Sequence, residues 1–132
     1  MIVVDTSVWI DVLNDTDSGP ARRFTDLLRD DAPLALTDVI LTEVLQGLRS
    51  DREAIQVEDA LSAFPVLTLS WPDDFRLAAN LYRTARRSGI TVRKTLDCLI
   101  AAPCVRTGSP ILHADVDFDR LARCTDLLVF AG

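Results

Sequence analysis

Short apolar runs alternate along this chain with longer stretches whose apolar residues recur every three or four positions. The short runs are Ile2-Val3-Val4, Pro33-Leu34-Ala35-Leu36, Val66-Leu67-Thr68-Leu69, Pro110-Ile111-Leu112-His113 and Leu127-Leu128-Val129. Runs of this kind predict short strands, and a continuous β-branched run such as the first predicts one buried on both faces. Between them the spacing predicts helices over 8–13, capped by Thr6 or Ser7, and over 20–29, where Pro20 suits a first turn. A third helix, capped by Thr37 or Asp38, carries Val39, Ile40, Val44, Leu45 and Leu48, and a fourth spans about 51–63. Pro72-Asp73-Asp74 then opens a helix in which Phe75, Ala78, Ala79 and Tyr82 form the apolar face, and Gly89 closes it. Thr95 begins the most apolar helix, with Leu99, Ile100 and Val105, which Pro103 is expected to kink or locally distort. A short helix over 118–123 precedes the last strand. Strands alternating with helices predict an α/β fold with a mainly parallel sheet.

The 132 residues fit one domain, 1–132, with no linker or repeat, and 48% apolar with 26% charged residues is ordinary for a soluble fold. No apolar run approaches the roughly 20 residues of a membrane span, and no leader pattern precedes Asp5, so a cytoplasmic location is expected. The three cysteines, Cys98, Cys104 and Cys124, lack paired zinc spacing and read as small packed residues in a reducing compartment. A net charge of −6 and a pI near 4.6 argue against broad attraction to a polyanion, without excluding a local basic patch.

That acidic surplus has a pattern. Asp5 follows the first strand directly, and Asp115 and Asp117 follow Ile111-Leu112-His113, so both groups reach the same edge of a parallel sheet, where ligands gather. Glu43 lies in a helix otherwise lined by Leu41, Val44, Leu45 and Leu48. Asp97 stands in the first turn of the most apolar helix. Each has an ordinary alternative: Asp5 as a turn residue, Asp117 as a helix cap, Asp97 as a complement to a helix N-terminus, Glu43 on a solvated stripe. Taken together, converging carboxylates would repel one another and raise some pKa values. A divalent cation relieves that repulsion, and an all-oxygen donor set suits Mg²⁺ or Mn²⁺ better than Zn²⁺. Such an ion acidifies water and stabilises charge on a scissile phosphate, which points to phosphodiester hydrolysis.

The stretches IVVDTSVWI at 2–10, TEVLQGLR at 42–49, TLDCLIAA at 95–102 and ILHADVDFD at 111–119 occur in this order across essentially the whole chain. Together they resemble the PIN-domain ribonucleases, more narrowly the VapC toxins of bacterial type II toxin–antitoxin pairs. The resemblance implies a PIN-like three-layer α/β/α fold and a Mg²⁺- or Mn²⁺-dependent endoribonuclease acting on tRNA or other structured RNA. It further implies a homodimer, a cognate antitoxin that blocks the site, and a higher toxin–antitoxin complex. Asp5, Glu43, Asp97 and Asp115 match the family's acidic quartet, and Asp117 a further acidic position. His113 stands where many relatives have Thr.

Within such a site Asp5 and Asp97 are the expected direct ligands. Asp115 and Asp117 bind through water or hold a second ion, and Glu43 orients the attacking water. Thr6 and Ser7 either donate to the carboxylates or substrate, or cap the helix. Gly47 either admits a close approach or is an exposed helical glycine. Arg86, Arg87, Arg93 and Lys94 precede Asp97 and are candidate contacts to RNA phosphates, or else a solvated charge cluster. His113 reads as a packed polar residue, and Trp9 and Trp71 as core or interface residues. A receiver domain fits poorly, since Asp5 has no acidic neighbour and the one Lys is Lys94; a haloacid-dehalogenase-type phosphatase would need an Asp where Ser7 stands. The alternative from another class is a catalytically silent PIN-like module that binds protein or RNA.

Overall fold

A computed structural model describes residues 1–131. Four strands form one parallel sheet, β1 (Ile2–Val4), β2 (Leu34–Thr37), β3 (Val66–Leu67) and β4 (Ile111–Leu112), in the order β3-β2-β1-β4. Val3 pairs with Ala35 on one side and Ile111 on the other, so β1 is central. Val3, Val4, Leu34, Ala35, Leu36, Ile111 and Leu112 are all buried, as uninterrupted apolar runs require.

Helices α1 (Thr6–Leu13) and α2 (Gly19–Arg29) connect β1 to β2, and α3 (Asp38–Gln46) and α4 (Asp51–Leu61) connect β2 to β3. The chain then returns through α5 (Asp73–Arg87) and α6 (Thr95–Thr107) to β4, and α7 (Val116–Cys124) follows. Right-handed crossovers put α1–α4 on one face and α5 and α6 on the other, giving three layers. The helix packing divides the same way, α1 with α2 and α3 against α5 with α6 and α7, and α3 also meets α6.

Several boundaries differ from the expected ones for local reasons. Helix α1 starts at Thr6 and is capped by Asp5, whose Oδ2 accepts from the Ser7 N–H at 3.1 Å; neither Thr6 nor Ser7 caps it. Helix α7 starts at Val116 because Asp115, not Asp117, caps it, accepting from the Asp117 N–H at 3.0 Å. Thr37 does cap α3. Strand β3 stops at Leu67 because the Leu69 N–H is taken by Asp38 Oδ2 at 3.0 Å, which turns the chain out of the sheet. The expected final strand is reduced to one parallel bridge between Val129 and Ile111. Helix α6 is assigned without interruption through the buried Pro103, ending at Gly108 in the left-handed region, and Gly89 at φ +74° likewise closes α5.

The buried face of α5 is Asp74, Ala78, Leu81 and Ala85, one step round from the expected stripe, so Phe75 and Tyr82 lie at its exposed margin. Asp74 is fully buried and paired with Arg106 of α6 at 2.8 and 3.0 Å; its Oδ2 also accepts from the Ser70 N–H. Burial pushes the Asp74 carboxyl up, but Arg106 and the Ser70 N–H outweigh it and hold the pKa below its usual value. Trp9 is a core residue: its indole donates to the Val4 carbonyl at 2.8 Å and its ring meets Phe24 and Phe64 edge-on. Trp71 is not, being 79% exposed beside Phe75. Gly47 caps the end of α3 in the open; a Cβ there would meet only Val44 and Glu43 carbonyls at 3.6 and 3.7 Å, so it admits no close approach.

Candidate metal centre

The order β3-β2-β1-β4 reverses direction at β1, and the carboxyl ends of β1 and β4 flank that switch point. Asp5 follows β1, and the Asp5 N–H binds the Leu112 carbonyl of β4, so the two strand ends are joined where the acidic groups emerge. A cleft of about 150 Å³ opens there, lined by Asp5, Thr6, Ser7, Ile10, Glu43, Lys94, Asp97 and Asp115. The structure therefore brings together all four quartet positions, the two hydroxyl residues and one of the four basic candidates.

Asp5 is buried and its Oδ2 is held by the Ser7 hydroxyl at 2.6 Å and the Ser7 N–H. The same hydroxyl accepts from the Ala114 N–H at 3.0 Å, tying α1 to the β4–α7 turn. Thr6 donates to Glu43 Oε1 at 2.7 Å, fixing a carboxylate that comes from a different crossover. The two hydroxyls thus serve the carboxylates; helix capping falls to Asp5.

Asp97 reaches the cleft because α6 begins there, with Lys94 as an N-cap that offers no side-chain bond. Its carboxylate is buried, and its Oδ2 has no hydrogen-bond partner among the described residues. Burial, then the charges of Asp115, Asp5 and Asp117, push the Asp97 pKa up to about 7, against a small opposing pull from Lys94. Burial also raises Asp5, which the Ser7 bonds only partly offset. A buried carboxylate left unpartnered beside other acids is costly, and a cation is the group that would relieve it. Single oxygens of Asp97, Asp115 and Asp117 all lie within 4.8 Å of one another. The donors are all carboxylate oxygens, which fits a hard divalent ion. Asp97 and Asp115 are common to that trio and to the cleft, while Asp5 completes the set on one side and Asp117 on the other.

Asp117, expected to bind an ion through water or to hold a second one, lies within hydrogen-bond reach of two arginines. It is fully buried, and both its oxygens accept from arginines: Oδ2 from Arg93 Nε at 2.9 Å and Oδ1 from Arg120 Nη1 at 3.1 Å. Arg93 also reaches Asp115 Oδ1, at 3.5 Å. The expected basic cluster is accordingly split. Arg93 is turned onto the acids, Lys94 lines the cleft, and Arg86 and Arg87 stay on the last turn of α5, one over the Tyr82 ring and the other on Thr84. Arg120 was not among the sequence candidates; its only signal was a spacing of three from Asp117 on a predicted helix.

His113 has both ring nitrogens engaged. Nδ1 accepts from the Asp115 N–H at 3.0 Å, which leaves Nε2 as the donor to Asp119 Oδ1, also at 3.0 Å. It orients the backbone that carries Asp115, and its ring packs on Phe118. Cys98 and Cys104 are buried thiols pushed up to about 11 and about 12, chiefly by burial. No helix among the described residues is long and apolar enough to cross a membrane.

The PIN domain profile matches residues 2–123. Ribonuclease VapC11 of Mycobacterium tuberculosis is 41% identical over 128 residues, 96% of either chain. Ribonuclease VapC51 of the same species is 34% identical over 109 residues, 82% of this chain and 79% of that one. Among solved structures, VapBC2 from Rickettsia felis superposes with a TM-score of 0.77 at 16% identity over 98% of both chains, a likeness of fold. A profile match over nearly the whole chain, together with that identity, is decisive: the chain belongs to the PIN-domain family and, within it, to the VapC ribonucleases.

Proposed function

We propose that the protein is a cytoplasmic endoribonuclease toxin that hydrolyses phosphodiester bonds of tRNA or other structured RNA with Mg²⁺ or Mn²⁺. In this reading it forms a homodimer, and a cognate antitoxin holds it silent in a larger complex. The observation that carries the reading is the buried oxygen of Asp97, without a partner among the described residues, in a cleft that also gathers Asp5, Glu43 and Asp115. The ribonuclease names of relatives 41% and 34% identical support it, as do fold neighbours such as the VapBC2 complex.

Asp5, Asp97 and Asp115 would hold the ion. Bound there, it supplies positive charge for the scissile phosphate and acidifies water at neutral pH. Ser7 holds Asp5 in one rotamer by two hydrogen bonds, so that ligand is fixed before anything binds. Glu43, held by Thr6 through Oε1, keeps Oε2 to orient a water and accept its proton. Lys94 at the rim of the cleft offsets the charge of the incoming backbone.

The test is cleavage of a total tRNA pool by purified protein in Mg²⁺, Mn²⁺ or EDTA, with Asp5→Asn and Asp97→Asn as controls. Discrete fragments that need metal and fall about 100-fold or more in both variants are expected, since charge stabilisation at the phosphate is lost. Fragments of equal yield in EDTA or in the variants would refute the reading. An absence of both cleavage and Mn²⁺ binding would favour the silent binding module.

A further inference from the structure

Arg93 reaches from the loop before α6 onto two of the acids. Its Nε binds Asp117 Oδ2 at 2.9 Å while its Nη2 lies 3.5 Å from Asp115 Oδ1, so one guanidinium spans the two acids. A second cation bridging Asp115 and Asp117 would occupy that span. Asp117 has little left to offer such a cation, because Arg120 takes its other oxygen at 3.1 Å and the side chain is sealed from water. Asp115 Oδ1 is likewise used twice, by Arg93 and by the Asp117 N–H, which leaves Oδ2 as the oxygen with no partner among the described residues. On the cleft side the situation is the opposite. Asp97 Oδ2 has no partner among the described residues, and Asp5 and Asp115 share its cleft.

We propose that Arg93 is a cation built into the chain at the place of a second metal ion, so that the site binds one divalent ion, on Asp5, Asp97 and Asp115. A fixed guanidinium so close to Asp115 repels an incoming divalent ion and neutralises the acid that would attract it. Asp117 is then a positioning residue: buried and anchored by Arg120, it aims Arg93 and does not itself ligate. The Arg93 side chain remains 61% exposed, so its guanidinium can still meet a phosphate oxygen and do electrostatically what a second ion would do. Because Arg cannot lose its proton, this charge does not depend on pH or on metal supply.

The inference rests on the metal-dependent reading above, and the count of bound ions separates the two. Calorimetric titration of the purified toxin with Mn²⁺, without RNA, is expected to give one ion per chain. Arg93→Gln removes the charge and the arm that reaches Asp115, which opens the span between the two acids, and should raise the count to two. Arg93→Lys keeps a cation and should hold it at one. Electron paramagnetic resonance adds an independent readout, with spin-coupled Mn²⁺ pairs expected in Arg93→Gln alone. Two ions bound by the unmodified protein, or a count fixed at one in folded Arg93→Gln, would overturn the inference and leave the nuclease reading standing. No Mn²⁺ uptake by any of the three proteins would overturn both.

Discussion

Asp97 gives the sharpest test of the site's electrostatics, because a buried carboxylate among other acids should make the metal-free fold less stable. Its pKa is raised from 3.8 to about 7, so between those values the folded chain keeps a proton that the unfolded chain releases. Stability must therefore fall as pH rises from about 4 through about 7, and level off above. At about 1.4 kcal/mol per pH unit the full cost of ionising Asp97 in the fold is about 4 kcal/mol. The cleft is open to water at its mouth, so roughly half of that, about 2 kcal/mol, is the fair expectation. Asp97→Asn removes the charge, keeps the shape, and supplies an N–H donor amid the carboxylates of Asp5 and Asp115. With unfolding entropy near 2.1 cal/mol/K per residue, a chain of 132 residues should gain about 7 °C in Tm at pH 8 in EDTA. At pH 5, little more than one pH unit above 3.8, the unfolded chain has already released its proton while the folded chain keeps it, so the gain should shrink to about 3 °C. Mn²⁺ at about 100 times its Kd should reverse the order, since only the unmodified site then collects about 2.7 kcal/mol of binding stabilisation. Thermal unfolding from pH 5 to 8, with and without Mn²⁺, reads all of this. A variant less stable than the parent at pH 8 in EDTA, or a difference that ignores pH, would refute the reasoning.

The remaining expectations follow from single contacts. Thr6→Val removes the 2.7 Å bond that fixes Glu43 and should lower kcat about 10- to 100-fold with a stability loss of only about 1 kcal/mol; an unchanged kcat would detach Glu43 from the chemistry. Arg106→Ala strands the buried Asp74 and should cost about 3 kcal/mol in urea unfolding at pH 7. Because the pair lowers the Asp74 pKa, its contribution is fully present above 3.8 and lost as pH falls through the lower folded value; a loss that persists undiminished in strong acid would contradict it. Lys94→Ala should weaken RNA binding and reduce the slope of log K against log salt by about 0.7, whereas Arg87→Ala, outside the cleft, should change the slope less; equal effects would restore the undivided basic cluster.

Much of this molecule can be read from local pattern. The apolar run Ile2-Val3-Val4 and the helical spacings mark the layers, because a strand buried on both faces has no polar positions and a helix on a sheet needs only one apolar stripe. That Asp5 and Asp115 share an edge follows from a parallel sheet, since every strand's carboxyl end lies on the same side. Resemblance in four ordered stretches does the rest for the quartet. Capping was misread at Thr6, Ser7 and Asp117 because Asp, Ser and Thr compete nearly equally for an N-cap, and only the backbone dihedrals settle which residue holds it. Short strands were overextended because an N–H satisfied by a distant side chain, as Leu69 is by Asp38, leaves no trace in hydropathy. The charge partners lay beyond reach of the sequence altogether. Arg93 meets Asp117 across 24 residues and Arg106 meets Asp74 across 32, and thirteen near-identical arginines give no local sign of which one a buried acid will take. Composition and spacing thus determined the layers, and with the family resemblance they marked which acids approach one another. The tertiary structure alone decided which of those acids are already neutralised and which still lack a cation, because the cost of a buried charge depends on all its neighbours at once.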